Sequence, residues 1–186
     1  MTMQAESSTQ ACYGLFETAI GSCGVAWSER GVTRLALPES DAAATERRLK
    51  ARTMGARADK FPTPIAQVVG DIQRYARGER VDFSSVAVDL AGVDQFRRSV
   101  YGTIRSLGWG ETASYGEIAR RICAPDPRDV GQALGQNPIP LIIPCHRIVA
   151  SDGTLGGFSA PGGRLTKERL LALEGFGADA PRLPGL

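Results

Sequence analysis

Histidine is almost absent from this chain: one residue, His146, in 186. Cysteine is scarce too, with four residues at 12, 23, 123 and 145. The first half offers only Cys12 and Cys23 and no histidine, short of the about four ligands a structural zinc needs, so no metal is expected. A chain of this length has no need of disulfide staples, so the thiols are expected to be reduced. Long apolar runs are missing as well. The longest, such as Leu141 to Pro144, fall far below the roughly 20 residues that span a bilayer. The first ten residues are polar and carry no apolar targeting core, which points to a cytoplasmic protein and away from membranes. Excess charge is lacking: 22 basic against 20 acidic residues leave only +2. Bulk electrostatic grip on a polyanion is therefore excluded. From Asp94 to Glu174 the balance is again +2, so any duplex would be held by shape and a few placed arginines. There are no internal repeats and no low-complexity segments.

What is present reads as two units. Residues 1–10 form a loose tail. CYGLFETA and CGVAWSE flank turn residues Ile20–Ser22, and VTRLALP follows a turn at Arg30–Gly31, giving three short strands. SDAAATERRLKARTMGA has helix-forming composition from Ser40 or Asp41 onward. In IAQVVGDIQRYARG the apolar positions 65, 68, 69, 72 and 75 follow helical spacing. VDFSSVAVDL, residues 81–90, alternates enough for a further strand. After a boundary near Ala91–Gly92 the pattern turns helical. DQFRRSVYGTIRSL places Phe96, Val100, Ile104 and Leu107 on one face. Ser114 with Glu117 three residues later is a capping box opening a helix at Tyr115. Asp126 and Pro127 open another, with Asp129 in its first turn. Two short helices on a tight link read as a helix-turn-helix. The expected layout is an α+β protein. A mixed sheet unit spans 1–91, a mostly helical unit 92–178, and a tail 179–186.

The chemistry concentrates in NPIPLIIPCHRIV. An apolar run, LII, is closed by Pro144, and Cys145 follows on what reads as the end of a buried strand-like segment. Burial alone makes a thiol inert, so activation needs a base or a cation, and His146 and Arg147 offer both. Neighbours on an extended chain face opposite ways, so a water or a bend has to relay the proton. A carboxylate is wanted to orient the imidazole, and the 20 candidates are not separable from sequence. The plain alternative is that Cys145 is a small core residue.

The order of these segments resembles the O6-alkylguanine-DNA alkyltransferases, the methylated-DNA–protein-cysteine methyltransferases. The likeness runs from about Phe96 to Gly175, through GETASYGEIA, VGQALGQNPIPLIIPCHRIV, GTLGGF and KERLLALEG, and is looser before that. It implies a ribonuclease H-like first domain and a winged helix-turn-helix second domain. Cys145 is then the alkyl acceptor, His146 its water-relayed base, Glu174 the orienter and Asn137 the support of the turn. Tyr115 assists the leaving base. The second helix lies in the minor groove of double-stranded DNA, with Ser114, Tyr115, Gly131, Gln132, Ala133 and Gly135 at the interface and Arg128 as the finger that replaces a flipped base. Val149, Gly156, Gly157, Phe158, Ser159 and Lys167 form the alkylguanine pocket. The expected reaction is a single, irreversible transfer from O6-alkylguanine, and in some cases O4-alkylthymine, by a monomer without cofactor.

Four places depart from the family pattern. Asp129 stands where a small residue is common, Phe158 where tyrosine is, and Cys123 where glycine is. The SAPGGRLTK loop is longer than the common form. Three other readings compete: a protein that binds alkylated DNA without reacting, a Cys-His hydrolase, and a helix-turn-helix regulator with a structural cysteine.

Overall fold

A computed structural model describes residues 11–176; the two expected tails lie outside them. Strands β1 (Ala11–Thr18), β2 (Gly21–Ser28) and β3 (Gly31–Ala36) form an antiparallel meander. The tight connections are Ala19–Ile20 and Glu29–Arg30, slightly earlier than the turn residues expected, with Gly21 and Gly31 at positive φ just after them. Helix α1 (Ala42–Lys50) is capped by Asp41, whose carboxylate accepts from the Ala44 N–H at 2.7 Å.

The segment expected to continue this helix does not. Residues 55–57 form β4, parallel to β1, in a four-stranded sheet of order β3-β2-β1-β4. The free edge of β1 offers backbone partners that override the helix propensity of Ala, Arg and Met here, and Thr53 and Gly55 are the weak points of that helix. Gly55 permits this, because a Cβ there would collide with the Ala11 carbonyl.

Helix α2 (Thr63–Ala76) is amphipathic as its spacing predicts: Ile65, Val68, Val69, Ile72 and Tyr75 are all buried. The strand expected over 81–90 is absent. That stretch is a set of turns with one bridge, Val32 to Val88. Only Ala87 and Asp89 exchange backbone bonds with Val32, and the carbonyls ahead of them go to a side chain. The Arg105 guanidinium donates to the Ser84 oxygen at 2.8 Å and the Val86 oxygen at 2.7 Å.

The second half packs α3 (Gln95–Ile104), α4 (Tyr115–Arg121) and α5 (Pro127–Gly135) on one another. Val100, Ile104 and Leu107 are buried as expected, but Phe96 is exposed. The buried stripe runs through Tyr101 instead, and Phe96 lies at the first turn beside Pro125 and Gln132. The capping box at Ser114–Glu117 is formed, and Asp126 caps α5. Between these helices Cys123 adopts φ 55, the left-handed conformation that glycine takes without strain. That accounts for the glycine common at this position. Strands β5 (Ala113–Ser114) and β6 (Ile148–Val149) pair in parallel, and α6 (Gly163–Leu173) closes the fold. One apolar core, from Phe16 to Leu170, runs through both halves. A backbone bond from Leu35 N–H to the Pro138 oxygen at 3.0 Å ties β3 to the loop ahead of Cys145.

Candidate active site

Residues 137–144 build the platform for the thiol. The Asn137 amide Nδ2 donates to the Ile143 oxygen at 2.8 Å and to Cys145 Sγ at 3.0 Å, while its Oδ1 accepts from the Ile139 N–H at 2.9 Å. Leu141 sits at φ 69, a strain of about 1–2 kcal/mol for a residue with a side chain. Its complete burial offsets that by a similar amount. Pro144, at φ −79 and ψ 62, centres an inverse γ-turn closed by the Cys145 N–H to the Ile143 oxygen at 2.8 Å. Cys145–Arg147 then form one turn of 3-10 helix. The strand-like segment expected here is therefore a buried turn. Pro138, Pro140 and Pro144 remove the donors a ladder needs, and Asn137 takes the orphaned groups. The bend also sends His146 and Arg147 inward, away from the thiol's clefts.

Behind the thiol lies a fully buried polar knot. His146 Nε2 is 2.8 Å from Glu174 Oε1. Arg147 grips the same carboxylate with two donors, Nε to Oε2 at 2.8 Å and Nη2 to Oε1 at 2.9 Å. The Gly110 N–H donates to Oε2 at 3.1 Å. The Tyr75 hydroxyl, from α2, donates to Oε1 at 2.7 Å and lies 3.3 Å from His146 Nε2. Tyr75 and the paired role of Arg147 were not foreseen. Tyr75 has only core periodicity in the sequence and lies 71 residues before the histidine it meets. Asp152, the carboxylate nearest the pair in sequence, is engaged by the Thr154 N–H and hydroxyl and takes no part.

Burial lifts the Glu174 carboxyl, but bonds from His146 and Arg147 outweigh it and hold the group down at about 2. Burial pushes His146 below its ordinary value despite the pull of Glu174. Burial also pushes Cys145 up to about 11, against the Asn137 bond and the Lys167 charge. The resting site is therefore a neutral thiol, a neutral imidazole and a carboxylate. Since Glu174 can only accept, the imidazole proton sits on Nε2 and Nδ1 keeps its lone pair. Nδ1 is buried and has no bonding partner among the described residues. It is a base ready to accept.

Two open clefts meet at Cys145. One is lined by Tyr115, Gly131, Gly135, Gly156, Gly157, Phe158 and Ser159. The other runs between Pro140 and Phe158 to the first half of the chain, where Arg34, Arg48 and Arg52 line it. Tyr115 stands against the pocket loop, and a Cβ on Gly156 would lie 2.6 Å from its hydroxyl. Lys167 is fully buried rather than a surface charge. Its ammonium donates to the Ile148 carbonyl and lies 5.9 Å from the Tyr115 ring centroid. Val149 is buried in β6, beside Ser114. Arg48 holds the loop from α1, donating to the Ser159 oxygen at 3.0 Å. Sequence reasoning missed this contact too, for nothing near Arg48 signals it.

On α5, Arg128, Gln132 and Gly135 are exposed and Gly131 half-exposed. Ala133 is not on this face. It is buried, with its carbonyl accepting from the Tyr101 hydroxyl at 2.8 Å. Ser114 spends its hydroxyl on the cap, exchanging bonds with Glu117 at 2.9 and 3.1 Å. Among the described residues no cluster of three His, Cys, Asp or Glu could hold a metal, and no helix is long and apolar enough to cross a membrane.

Comparisons with known proteins assign both halves of the chain to one family. The family model for the 6-O-methylguanine DNA methyltransferase ribonuclease-like domain matches residues 11–90, and that for the DNA binding domain of the same family matches 95–176. A methylated-DNA–protein-cysteine methyltransferase of Sulfolobus acidocaldarius is 39% identical over 168 residues, covering 90% of this chain and 96% of that protein. The one from Methanothermobacter thermautotrophicus is 34% identical, covering 82% and 78%. Among solved structures, Mycobacterium tuberculosis OGT in complex with DNA superposes with a TM-score of 0.72 at 34% identity, covering 88% of this chain and 92% of that one. With both halves matched and the thiol, base and carboxylate in place, the chain belongs to the 6-O-methylguanine DNA methyltransferase family.

Proposed function

We propose that this protein repairs DNA by direct reversal, moving the alkyl group of O6-alkylguanine onto Cys145 once and irreversibly. The observation that carries this is the meeting of a thiol, two open clefts and an imidazole whose Nδ1 lone pair is unspent. The Cys145 sulfur attacks the O6-bound carbon. The C–S bond forms, the C–O6 bond breaks, and the electron pair stays on the base. The thiol proton leaves through a water to His146, and a proton reaches guanine as it departs. Glu174 and Arg147 hold the imidazole in the tautomer that accepts. The thioether product has no route back, so each molecule acts once.

A stacked base cannot reach a cleft this deep, so the nucleotide is flipped out of the duplex. Helix α5 faces the minor groove. Gly135 supports this, because a Cβ there would meet nothing within 4 Å and packing does not require its smallness. Gln132 and Gly131 share that face, and the exposed Arg128, whose guanidinium has no partner among the described residues, fills the vacated stack. Tyr115 and the backbone of Gly156 and Gly157 shape the base site, Phe158 walls it, and the Ser159 hydroxyl donates to O6. Lys167 braces it from beneath. The protein acts as a cytoplasmic monomer.

Incubation with a duplex bearing O6-methylguanine, followed by mass analysis, tests this. One methyl is expected on Cys145, with no further turnover and none in Cys145→Ser. Repeated product release at unchanged protein mass would reveal a hydrolase instead. The geometry disfavours that alternative, since the Cys145 N–H, the natural oxyanion donor, is committed to Ile143.

A further inference from the structure

The second cleft is not needed for a methyl group, and its far wall is cationic. It begins at Cys145, passes between Pro140 and Phe158, and ends at Arg34 of β3 and Arg48 and Arg52 of the α1 segment. Arg48 is already neutralised by Glu39 at 3.1 Å and donates to the Ser159 oxygen. Arg34 and Arg52 have no ion-pair or hydrogen-bond partner for their guanidinium groups among the described residues. Arg34 is half-buried, and both burial and the charge of Arg52 work against its protonated form. Two cations that repel each other in a cleft are relieved by an anion placed between them.

The reaction geometry says which anion reaches them. Sulfur, transferred carbon and O6 lie in line during displacement. Anything attached to that carbon leaves the line sideways. The base occupies the cleft of Tyr115 and Gly156, so the rest of the substituent turns into the other one. Its walls, Pro140, Phe158 and Pro161, suit methylene groups, and its end suits a carboxylate.

We infer that the cleft is a subsite for anionic alkyl adducts, with Arg34 and Arg52 receiving the terminal carboxylate of an O6-carboxyalkylguanine. This rests on the alkyl-transfer reading above. The step balances as for methyl. The thiolate forms a C–S bond to the O6-bound methylene, the C–O6 pair stays on the base, and the base gains the proton the thiol gave up. The carboxylate is unchanged throughout and ends on the Cys145 thioether.

The test uses the full chain and duplexes carrying O6-methylguanine, O6-(3-carboxypropyl)guanine or the isosteric primary amide of the latter. Second-order transfer constants are read from the mass of the protein adduct. The acid is expected to react about fivefold faster than the amide, the worth of one partly exposed ion pair, with the advantage shrinking as salt rises. In the double variant Arg34→Gln, Arg52→Gln the acid-to-amide ratio falls to about one. A wild-type ratio at or below one overturns the subsite, as does a ratio the double variant leaves intact. A parallel fall for all three substrates would assign the arginines to DNA phosphate and overturn it as well. Failure of methyl transfer in the wild type would instead strike the alkyl-transfer reading itself.

Discussion

The buried knot around Glu174 and the exposed face of α5 are built on opposite terms. The Glu174 carboxylate accepts from four groups, Tyr75, Gly110, His146 and Arg147, and every one of them is drawn in by the fold. Arg128 and Gln132 look outward with no hydrogen bond to their side chains among the described residues, and Gly135 beside them presents bare backbone. One region is over-determined, so that a single imidazole is held in one tautomer. The other leaves its polar groups exposed, which is the basis for proposing that its partners come from outside. Damage to the first should therefore cost stability and chemistry together, and damage to the second should cost recognition alone.

The largest effect is expected at Glu174. Glu174→Gln leaves Arg147 buried beside a neutral group, a loss of about 3–5 kcal/mol. Alkyl transfer should collapse with it, because the neutral amide is a weaker acceptor and can equally present its NH2 to the imidazole, so the tautomer of His146 is no longer fixed. Urea unfolding measures the first loss and adduct mass the second. A variant with wild-type midpoint would mean that the knot adds nothing to the fold.

The same carboxylate predicts the acid response. Its folded value of about 2 lies below the 4.5 of the unfolded chain. A depressed value means that the stabilisation is fully present above pH 4.5 and is lost as pH falls toward 2. A shift of that size corresponds to roughly 3 kcal/mol. The unfolding free energy should therefore decline through that window in the wild type and much less in Glu174→Gln. Equal slopes in the two proteins would show that other carboxylates carry the acid transition.

Tyr75→Phe removes one neutral donor, an expected cost of about 1–2 kcal/mol. Its sharper signature is kinetic. The phenol withdraws charge from Glu174 Oε1, the oxygen that also faces His146. Without it the imidazole becomes more basic and protonates sooner on acidification. The acid limb of the transfer-rate profile should move toward neutral pH. An unshifted limb with a lower rate would reduce Tyr75 to a packing residue.

These two regions were unequally legible in the sequence. The helices of the DNA-facing half announced themselves through local signals, a capping box and an Asp126–Pro127 start, which act over three or four residues. Cys145 and His146 stood out by rarity and adjacency. Glu174 came only from the family resemblance, because its pairing closes a loop of 28 residues that no local rule encodes. Tyr75 and Arg48 were invisible for the same reason: each looks like an ordinary helix residue until the fold brings it across. The errors at 55–57 and 81–90 share a cause. In both places a distant group, the β1 edge or the Arg105 guanidinium, decides where the backbone hydrogen bonds go.

The smallest change in stability is expected at Gly135, and it separates the two regions most cleanly. Gly135 is the last residue of α5 and has an ordinary helical backbone, outside the positive-φ set. A Cβ there meets nothing within 4 Å. Gly135→Ala should therefore leave the fold intact or stabilise it by a few tenths of a kcal/mol, through the helix preference of alanine. If α5 lies against the floor of a groove, the added methyl stands in the way of DNA and binding should weaken while thermal stability holds or rises. Reaction with free O6-alkylguanine base, which needs no groove, should fall far less than reaction in a duplex. Undiminished duplex binding by a well-folded Gly135→Ala would place the DNA on another face of the helix and leave the glycine without a role.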